Sequence, residues 1–384
     1  MDYSIFFSDD VPSFMKSPIR EIFRTADLSS IYSFAGGYPD AATFPLKEME
    51  ALTRTVIEKY GSKTLQYGGT QGIPELREII SKRYGVPVER VQITTSSQQG
   101  IDVCSRVFLN PGDVVLTTNP AYLGALQSFK AYRAEVMPLN INGRCPERAK
   151  FIYIVPDFCN PSGETLTLEE RQMLVEFARR EDLLIVEDSP YRELRYSGEP
   201  VPTIYSIAPE RTLHLGSFSK IFAPGFRLGW IIAVPELLEQ IFICKQALDL
   251  CPPVFSQYLA AEILESGALD KNLKKSIALY REKRDFLLEL LEKYMPAGVR
   301  WTRPDGGLFL WLTLPEGVDT VAMYDSALKA GVAYVAGSFF YLDRSHSNTM
   351  RLNFSYLAKE RMEEGVRLLA AEIRKARSQQ RAGF

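Results

Sequence analysis

The sequence predicts an α/β protein: a large domain with a mostly parallel sheet flanked by helices, plus a smaller α+β domain. Two patterns point there. From about residue 45 to 235, short runs rich in β-branched and aromatic residues alternate with helix-length amphipathic stretches. Several of these runs are apolar throughout, as strands covered on both faces read. After Leu250-Cys-Pro-Pro253 the pattern changes to long, charge-rich helical stretches with few strand candidates. At 384 residues the chain exceeds one ordinary core, so a second domain is expected.

Each element follows from local signals. A helix is expected over 45–60, where Leu46, Met49, Leu52 and Val56 share a face, Pro45 suits the first turn and Gly61 stops it. A second covers 74–84, with Leu76, Ile79 and Ile80 inward and Gly85 as its stop. Strands are expected at 91–95, 114–118, 151–155, 183–186, 212–215 and 229–234, separated by stretches long enough for crossover helices. Helices follow over 255–295, then strands at 308–314 and 351–354, and a terminal helix over 358–376 with a frayed tail.

Composition removes several classes of function. A formal net charge of -2 gives no electrostatic case for nucleic acid or an anionic membrane. Five cysteines are scattered with no C-x-x-C pair, which fits reduced thiols in a cytoplasm rather than a disulfide framework or a zinc site. The two histidines leave no room for a histidine-rich metal centre and make a Ser-His-Asp triad improbable. His214, within Thr-Leu-His-Leu, reads as a packed strand residue. No apolar run reaches transmembrane length and no leader pattern is read at the N-terminus.

In an open α/β sheet, ligands gather outside the carboxyl ends of the strands. Five expected strand ends carry polar side chains. The first gives Ser96-Ser97-Gln98-Gln99-Gly100, either a phosphate site at a helix start or plain serine capping. The second gives Asn119-Pro-Ala-Tyr122, whose ring is either core or a stacking platform. The third gives Asn160-Pro161-Ser-Gly163, either a turn or an amide set over a ring. The fourth gives Glu187-Asp188-Ser189-Pro190-Tyr191. Asp188 either caps a turn or meets a cation, because a carboxylate past a buried strand is costly to desolvate alone. The fifth gives Ser217-Phe-Ser219-Lys220, with Arg227 seven residues on. Hydroxyls and a guanidinium suit a phosphate dianion, and a lysine beside them can form a Schiff base with an aldehyde. Together they suggest pyridoxal phosphate. Ser13-Phe-Met-Lys16 fits the same four-residue pattern without such company.

With these residues in this order, the chain resembles a fold-type I pyridoxal-phosphate aminotransferase of class I/II. Within that class it is most similar to the 2-aminoadipate and kynurenine aminotransferase subgroup. The likeness also rests on Ser33-Phe-Ala-Gly-Gly-Tyr-Pro-Asp40, Gln66-Tyr-Gly-Gly-Thr-Gln-Gly72 and Arg351-Leu-Asn-Phe354. It implies an N-terminal segment (1–44) shared with the small domain and acting as a substrate lid. It further implies a large cofactor-binding domain (45–285) and a C-terminal small domain (286–384). Ser96 departs from the glycine common in relatives, and Ala336-Gly337 from the usual Pro-Gly. Regulator-type relatives carry an additional DNA-binding domain; only a short segment precedes Gly36-Gly37, so none is expected here.

The resemblance also implies roles. Lys220 holds the cofactor and later moves a proton. Asp188 pairs with the ring nitrogen. Tyr191 and Asn160 bond the phenolic oxygen. Tyr122 stacks on one ring face and Pro190 lines the other. Ser97, Gln98, Ser217, Ser219 and Arg227 bind the phosphate, joined by Tyr67 of the neighbouring subunit, so a homodimer with shared sites is implied. Arg351 takes the substrate α-carboxylate, helped by Asn160 and the Gly36-Gly37 backbone. No metal is expected. Lys220 must be neutral to react; desolvation, Arg227 and the cofactor's own positive charge are the expected causes.

The implied reaction transfers an amino group between an L-amino acid and a 2-oxo acid, over a broad range with glutamate/2-oxoglutarate as one partner. Candidates are 2-aminoadipate, aromatic and branched-chain amino acids. Arg20, on the expected N-terminal helix, either faces solvent or receives a distal carboxylate. The same residues also serve C–S lyases and decarboxylases, and a sensor of cofactor or amino acid is a non-enzymatic alternative. A serine acyl-transferase reading of Ser217-x-x-Lys220 lacks its Lys-Thr-Gly strand.

Overall fold

The computed structural model describes residue 1, residues 3–7 and residues 31–382. Arg20, the expected N-terminal helix and Ser13-Phe-Met-Lys16 lie outside the described residues.

A short strand β1 (Tyr32–Ser33) leads into the helices Leu46–Tyr60 and Pro74–Tyr84. The second matches expectation residue for residue. In the first, Pro45 stands one position earlier than expected, as the cap. A seven-stranded sheet follows: β2 (Val91–Thr94), β3 (Val114–Thr117), β4 (Glu135–Pro138), β5 (Ala149–Ile154), β6 (Leu184–Asp188), β7 (Thr212–Ser217) and β8 (Gly229–Ile232). The spatial order is β2-β8-β7-β6-β5-β3-β4. Every pair is parallel except the two made by β8. The reason is connection length. Residues 218–228 between β7 and β8 hold one short helical turn and a 3-10 turn, too little for a crossover, so the chain must fold back.

The strands are buried on both faces, as their apolar runs imply. Along β5 and just beyond it, Phe151, Tyr153 and Val155 join the main core, while Ile152 and Ile154 join a second core on the other face. The sequence did not suggest β4. It is an edge strand, partly exposed, with a glutamate at one end and a proline at the other, and so lacks a buried strand's signature.

The stretch expected to be helical over 255–295 is two helices, Val254–Glu265 and Ala268–Tyr294. They part at Gly267, whose φ of 71° lies in the left-handed region that a glycine enters cheaply. Beyond them β9 (Arg300–Trp301), β10 (Phe309–Thr313), β12 (Val335–Ala336) and β13 (Thr349–Asn353) form an antiparallel sheet ordered β12-β13-β10-β9. The last helix runs over Lys359–Ala382, so the residues expected to fray are helical as far as 382.

β1 pairs in parallel with β11 (Val332–Ala333), a link that two-residue strands do not announce in sequence. The segment after β1 is fixed by a buried lysine. Lys283 Nζ, on the long helix, bonds the Asp40 carboxylate and donates to Ser355 O at 2.8 Å. This holds Gly36-Gly37-Tyr38 against the sheet edge where the polar strand ends converge.

Candidate active site

The carboxyl ends of β2, β3, β5, β6 and β7 open on one cavity of about 320 Å³. Ser97, Gln98, Tyr122, Asn160, Asp188, Pro190, Tyr191, Ser217, Ser219, Lys220 and Arg227 all line it. Five ambiguous strand ends thus become one place. Tyr38, Ser96, Val155 and Pro224 line it too.

The helix Ser96–Phe108 starts at the cavity wall, so its first backbone N–H groups lack intrahelical partners there. Ser96 takes φ 71° and Arg227 φ 50°, both in the left-handed region unusual for residues with a side chain. The two strained residues meet: Arg227 Nη2 donates to Ser96 Oγ at 2.7 Å. Gly229 lets them approach, because a Cβ there would stand 2.7 Å from the Ser96 carbonyl carbon and 2.8 Å from Ser97 N. Ser217 and Ser219 complete this cationic, hydroxyl-rich end of the cavity.

Gln98 does more than line the cavity. Its Nε2 donates to Gly124 O and Ser128 Oγ, both at 3.0 Å, which turns Oε1 toward the Tyr122 hydroxyl at 3.1 Å. The Tyr122 ring is thereby held in place.

Asp188, at the end of β6, is buried. The Tyr153 hydroxyl donates to its Oδ2 at 2.8 Å. Its Oδ1 is also buried and has no partner within the protein. Burial pushes this carboxyl up to about 6, against the Tyr153 hydrogen bond and the nearby His214. His214 is buried in β7 with its Nδ1 2.9 Å from Glu187 Oε2, as a packed residue. Burial raises Glu187, but His214 and the Ile204 and Tyr205 N–H groups outweigh it and leave the carboxyl low.

Lys220 Nζ donates to Gly37 O at 2.8 Å. Its ammonium is pushed down to about 8, by burial first, then by Arg351 and Arg227. The expected Arg227 contribution is present, and Arg351 adds a larger one.

Arg351, on β13, is not among the lining residues but bonds one of them, Asn160, and is almost fully buried. Its Nη1 donates to Asn160 Oδ1 and its Nη2 to Ala35 O, both at 2.7 Å; its Nε has no partner. The guanidinium stacks over Phe309 at 4.1 Å. Burial pushes it down to about 10, so it stays charged at neutral pH. Burial raises the Tyr191 phenol strongly.

Besides Arg351, three expected residues stand outside the lining set. Gly36 is buried, and Gly37 reaches the site through its carbonyl, which accepts from Lys220. Tyr67 is 78% exposed and lines a second cavity of about 690 Å³ with Leu65, Asp249 and Phe255. The Tyr153 contact to Asp188 is one that sequence reasoning missed, because inside an apolar strand Tyr153 reads as core. Tyr38 had a signal, since it sits within the Gly-Gly-Tyr-Pro stretch. Among the described residues no cluster of three or more His, Cys, Asp or Glu could hold a metal ion, and no helix is long and apolar enough to cross a membrane.

The donor set fits pyridoxal phosphate. An unpartnered buried carboxylate oxygen suits a protonated ring nitrogen, and an arginine, serines and a helix start suit a phosphate. A lysine with a depressed ammonium lines the same cavity.

Comparison with known proteins agrees. The family model "Aminotransferase class I and II" matches residues 35–369. The aromatic-amino-acid aminotransferase 1 of Thermococcus litoralis is 43% identical over 97% of this chain and 95% of its own. A multiple substrate aminotransferase from Thermococcus profundus superposes with a TM-score of 0.92 at 42% identity, covering 99% of this chain and 100% of that one. A Pyrococcus horikoshii kynurenine aminotransferase, solved in complex with PMP, KYN and KYA, has a TM-score of 0.92 at 41% identity, covering 97% and 98%.

Proposed function

The chain belongs to the class I and II aminotransferases and is a pyridoxal-phosphate-dependent transaminase, and on that premise we propose how its residues divide the work. Asp188 Oδ1 would hold the cofactor's ring nitrogen, and Tyr122 and Pro190 would line its ring. Ser97, Gln98, Ser217, Ser219 and Arg227 hold the phosphate. Tyr191 and Asn160 bond the phenolic oxygen. When bound, the cofactor supplies an electron sink that stabilises negative charge at the substrate α-carbon.

The remaining steps belong to the protein. Lys220 Nζ would hold the cofactor's aldehyde carbon and, as a free amine, would be placed to move a proton at the substrate α-carbon. A lysine titrating near 8 is partly uncharged at neutral pH and so is a competent base. Arg351 takes the α-carboxylate in a charge-assisted pair, with Asn160 beside it and the Gly36-Gly37 backbone closing the other side. Its burial removes competing water, which strengthens the pair.

The substrate range is broad, with glutamate/2-oxoglutarate as one partner and aromatic amino acids as the other main class. Relatives named for aromatic, multiple and kynurenine substrates support this. So does Tyr38, which lines the cavity and meets Tyr356 edge-on at 6.0 Å, a wall suited to an aromatic side chain. The active unit is a homodimer in which Tyr67 reaches the phosphate of the neighbouring site. Exposed Leu65 and Tyr67 around the second cavity support a covered face there. Five free cysteines fit a cytoplasmic setting.

The unpartnered Oδ1 of Asp188, in one cavity with Lys220, carries this reading. The test is spectroscopic. Purified protein shows a visible cofactor band that single amino acids bleach and 2-oxoglutarate restores. Absence of the band, or an unchanged band in Lys220→Ala, overturns the assignment.

A further inference from the structure

We propose that Tyr153 is a positioning residue for the cofactor's ring nitrogen: its hydroxyl engages Asp188 Oδ2, so that Oδ1 is the oxygen presented to the cavity and its negative charge is supported from behind. This rests on the role assigned above to Asp188.

The contact follows from strand register. On the parallel pair β5 and β6, Tyr153 is opposite Val186, so Asp188 is its diagonal neighbour on the same sheet face. A long side chain spans that diagonal, and the hydroxyl reaches Oδ2 at 2.8 Å. The ring is fixed edge-on against Phe129 at 5.4 Å. Tyr153 and Asp188 are 1% and 2% exposed, so neither has water as an alternative partner.

The direction of the bond is settled by the environment. Burial, then the Asp188 charge, holds the Tyr153 phenol well above its ordinary value, so the proton stays on tyrosine and the carboxylate accepts. With Oδ2 occupied and Oδ1 unpartnered, the carboxylate has one open direction, into the cavity it lines. Other titratable groups reach Asp188 more weakly. They are His214 from β7, Cys104 from the helix Ser96–Phe108, Cys159 from the loop after β5 and Tyr191 from the following turn. Among them only His214 acts to lower the Asp188 carboxyl; burial raises the two thiols and the second phenol, which stay neutral near pH 7.

Deleting the hydroxyl leaves a second buried carboxylate oxygen without a donor. A desolvated, unbonded carboxyl retains its proton to higher pH and then offers a protonated ring nitrogen no negative charge to pair with. The carboxyl is also free to rotate.

The test is a double-mutant cycle on cofactor affinity. Apoproteins of the wild type, Tyr153→Phe, Asp188→Asn and the double variant are titrated with pyridoxal phosphate between about pH 5.5 and 9, with thermal melts confirming folding. Tyr153→Phe keeps the ring and its packing. It is expected to weaken binding at pH 7 by about 10-fold or more, the scale of one hydrogen bond to a charged group. The pH below which binding falls moves upward in this variant. In turnover, kcat falls while KM for the amino acid changes little. In the Asp188→Asn background, Tyr153→Phe adds less than about 2-fold, because the two residues act as one unit. Wild-type affinity and pH profile in Tyr153→Phe, or an equal loss in both backgrounds, overturns the proposal. The two readings fail separately. If Asp188→Asn binds cofactor normally, the assignment of Asp188 is wrong and the role of Tyr153 falls with it. If Asp188→Asn weakens binding and Tyr153→Phe does not, only the role of Tyr153 is wrong.

Discussion

Arg351 Nη1 donates to Asn160 Oδ1 at 2.7 Å, joining a strand of the small antiparallel sheet to the loop that leaves β5. The bond fixes the Asn160 amide, because the guanidinium has no acceptor and the amide oxygen must face it. One buried cation therefore orients a residue assigned to the cofactor and is itself assigned to the substrate. Arg351→Lys should lower kcat/KM for every amino acid substrate by about 100-fold, a loss of ~3 kcal/mol, since a point charge cannot copy the planar fork. Cofactor affinity should change far less. Steady-state kinetics with two unrelated amino acids checks this, and a loss confined to one of them counts against it.

The amine of Lys220 should titrate near 8 in the apoprotein. The folded value lies below the ordinary 10.5, so the unfolded chain holds this proton more tightly. The apoprotein should therefore gain stability from this group as pH rises from about 8 toward 10.5, and lose it on the way down. Amine-selective labelling followed by mass spectrometry reads the titration directly. Lys220 should reach half its maximal labelling rate near pH 8, well before surface lysines. Arg351→Ala should move that midpoint upward, because a neighbouring positive charge is removed.

Ser96 combines a left-handed backbone with the hydroxyl that holds Arg227. Ser96→Gly should leave stability within ~1 kcal/mol of wild type, since relief of about 1 kcal/mol of backbone cost offsets one hydrogen bond. Cofactor binding should nonetheless weaken several-fold as Arg227 loses its anchor. Ser96→Val adds a β-branched side chain at φ 71° and should destabilise by ~2 kcal/mol. Thermal unfolding and cofactor titration separate the effects. A Ser96→Val protein as stable as wild type would contradict this account.

Shared sites predict complementation between subunits. Lys220→Ala and Tyr67→Ala homodimers should both be impaired. After mixing and exchange, half the dimers are hybrids, and one site in each hybrid has both residues. Activity should then recover to about a quarter of wild type, the limit for a two-fold dimer. No recovery in mixtures proven by mass spectrometry to contain hybrids would place Tyr67 outside the neighbouring site.

The β-rich strands and the polar residues after them were legible because both signals are local. A buried parallel strand must be apolar along its length, and chemistry at its end must be polar. The edge strand β4 escaped because an edge tolerates Glu135 and Pro138. The position of the break at Gly267 was not read within the helical stretches expected over 255–295. Tyr153 looked like core, and by burial it is core.

The order of residues alone determined the α/β alternation, the set of strand ends and the presence of one lysine beside two serines and an arginine suited to a phosphate. These are properties of neighbours in the chain. Tertiary structure decided which groups face each other. It turned β8 antiparallel because its connection is short. It set Tyr153 diagonally beside Asp188, and Arg351 closer in effect to Lys220 than Arg227 is. Partners far apart in sequence, and the burial that sets their charge, are not encoded in any window of residues. They arise only when strand register and sheet contact bring those residues together in a place that excludes water.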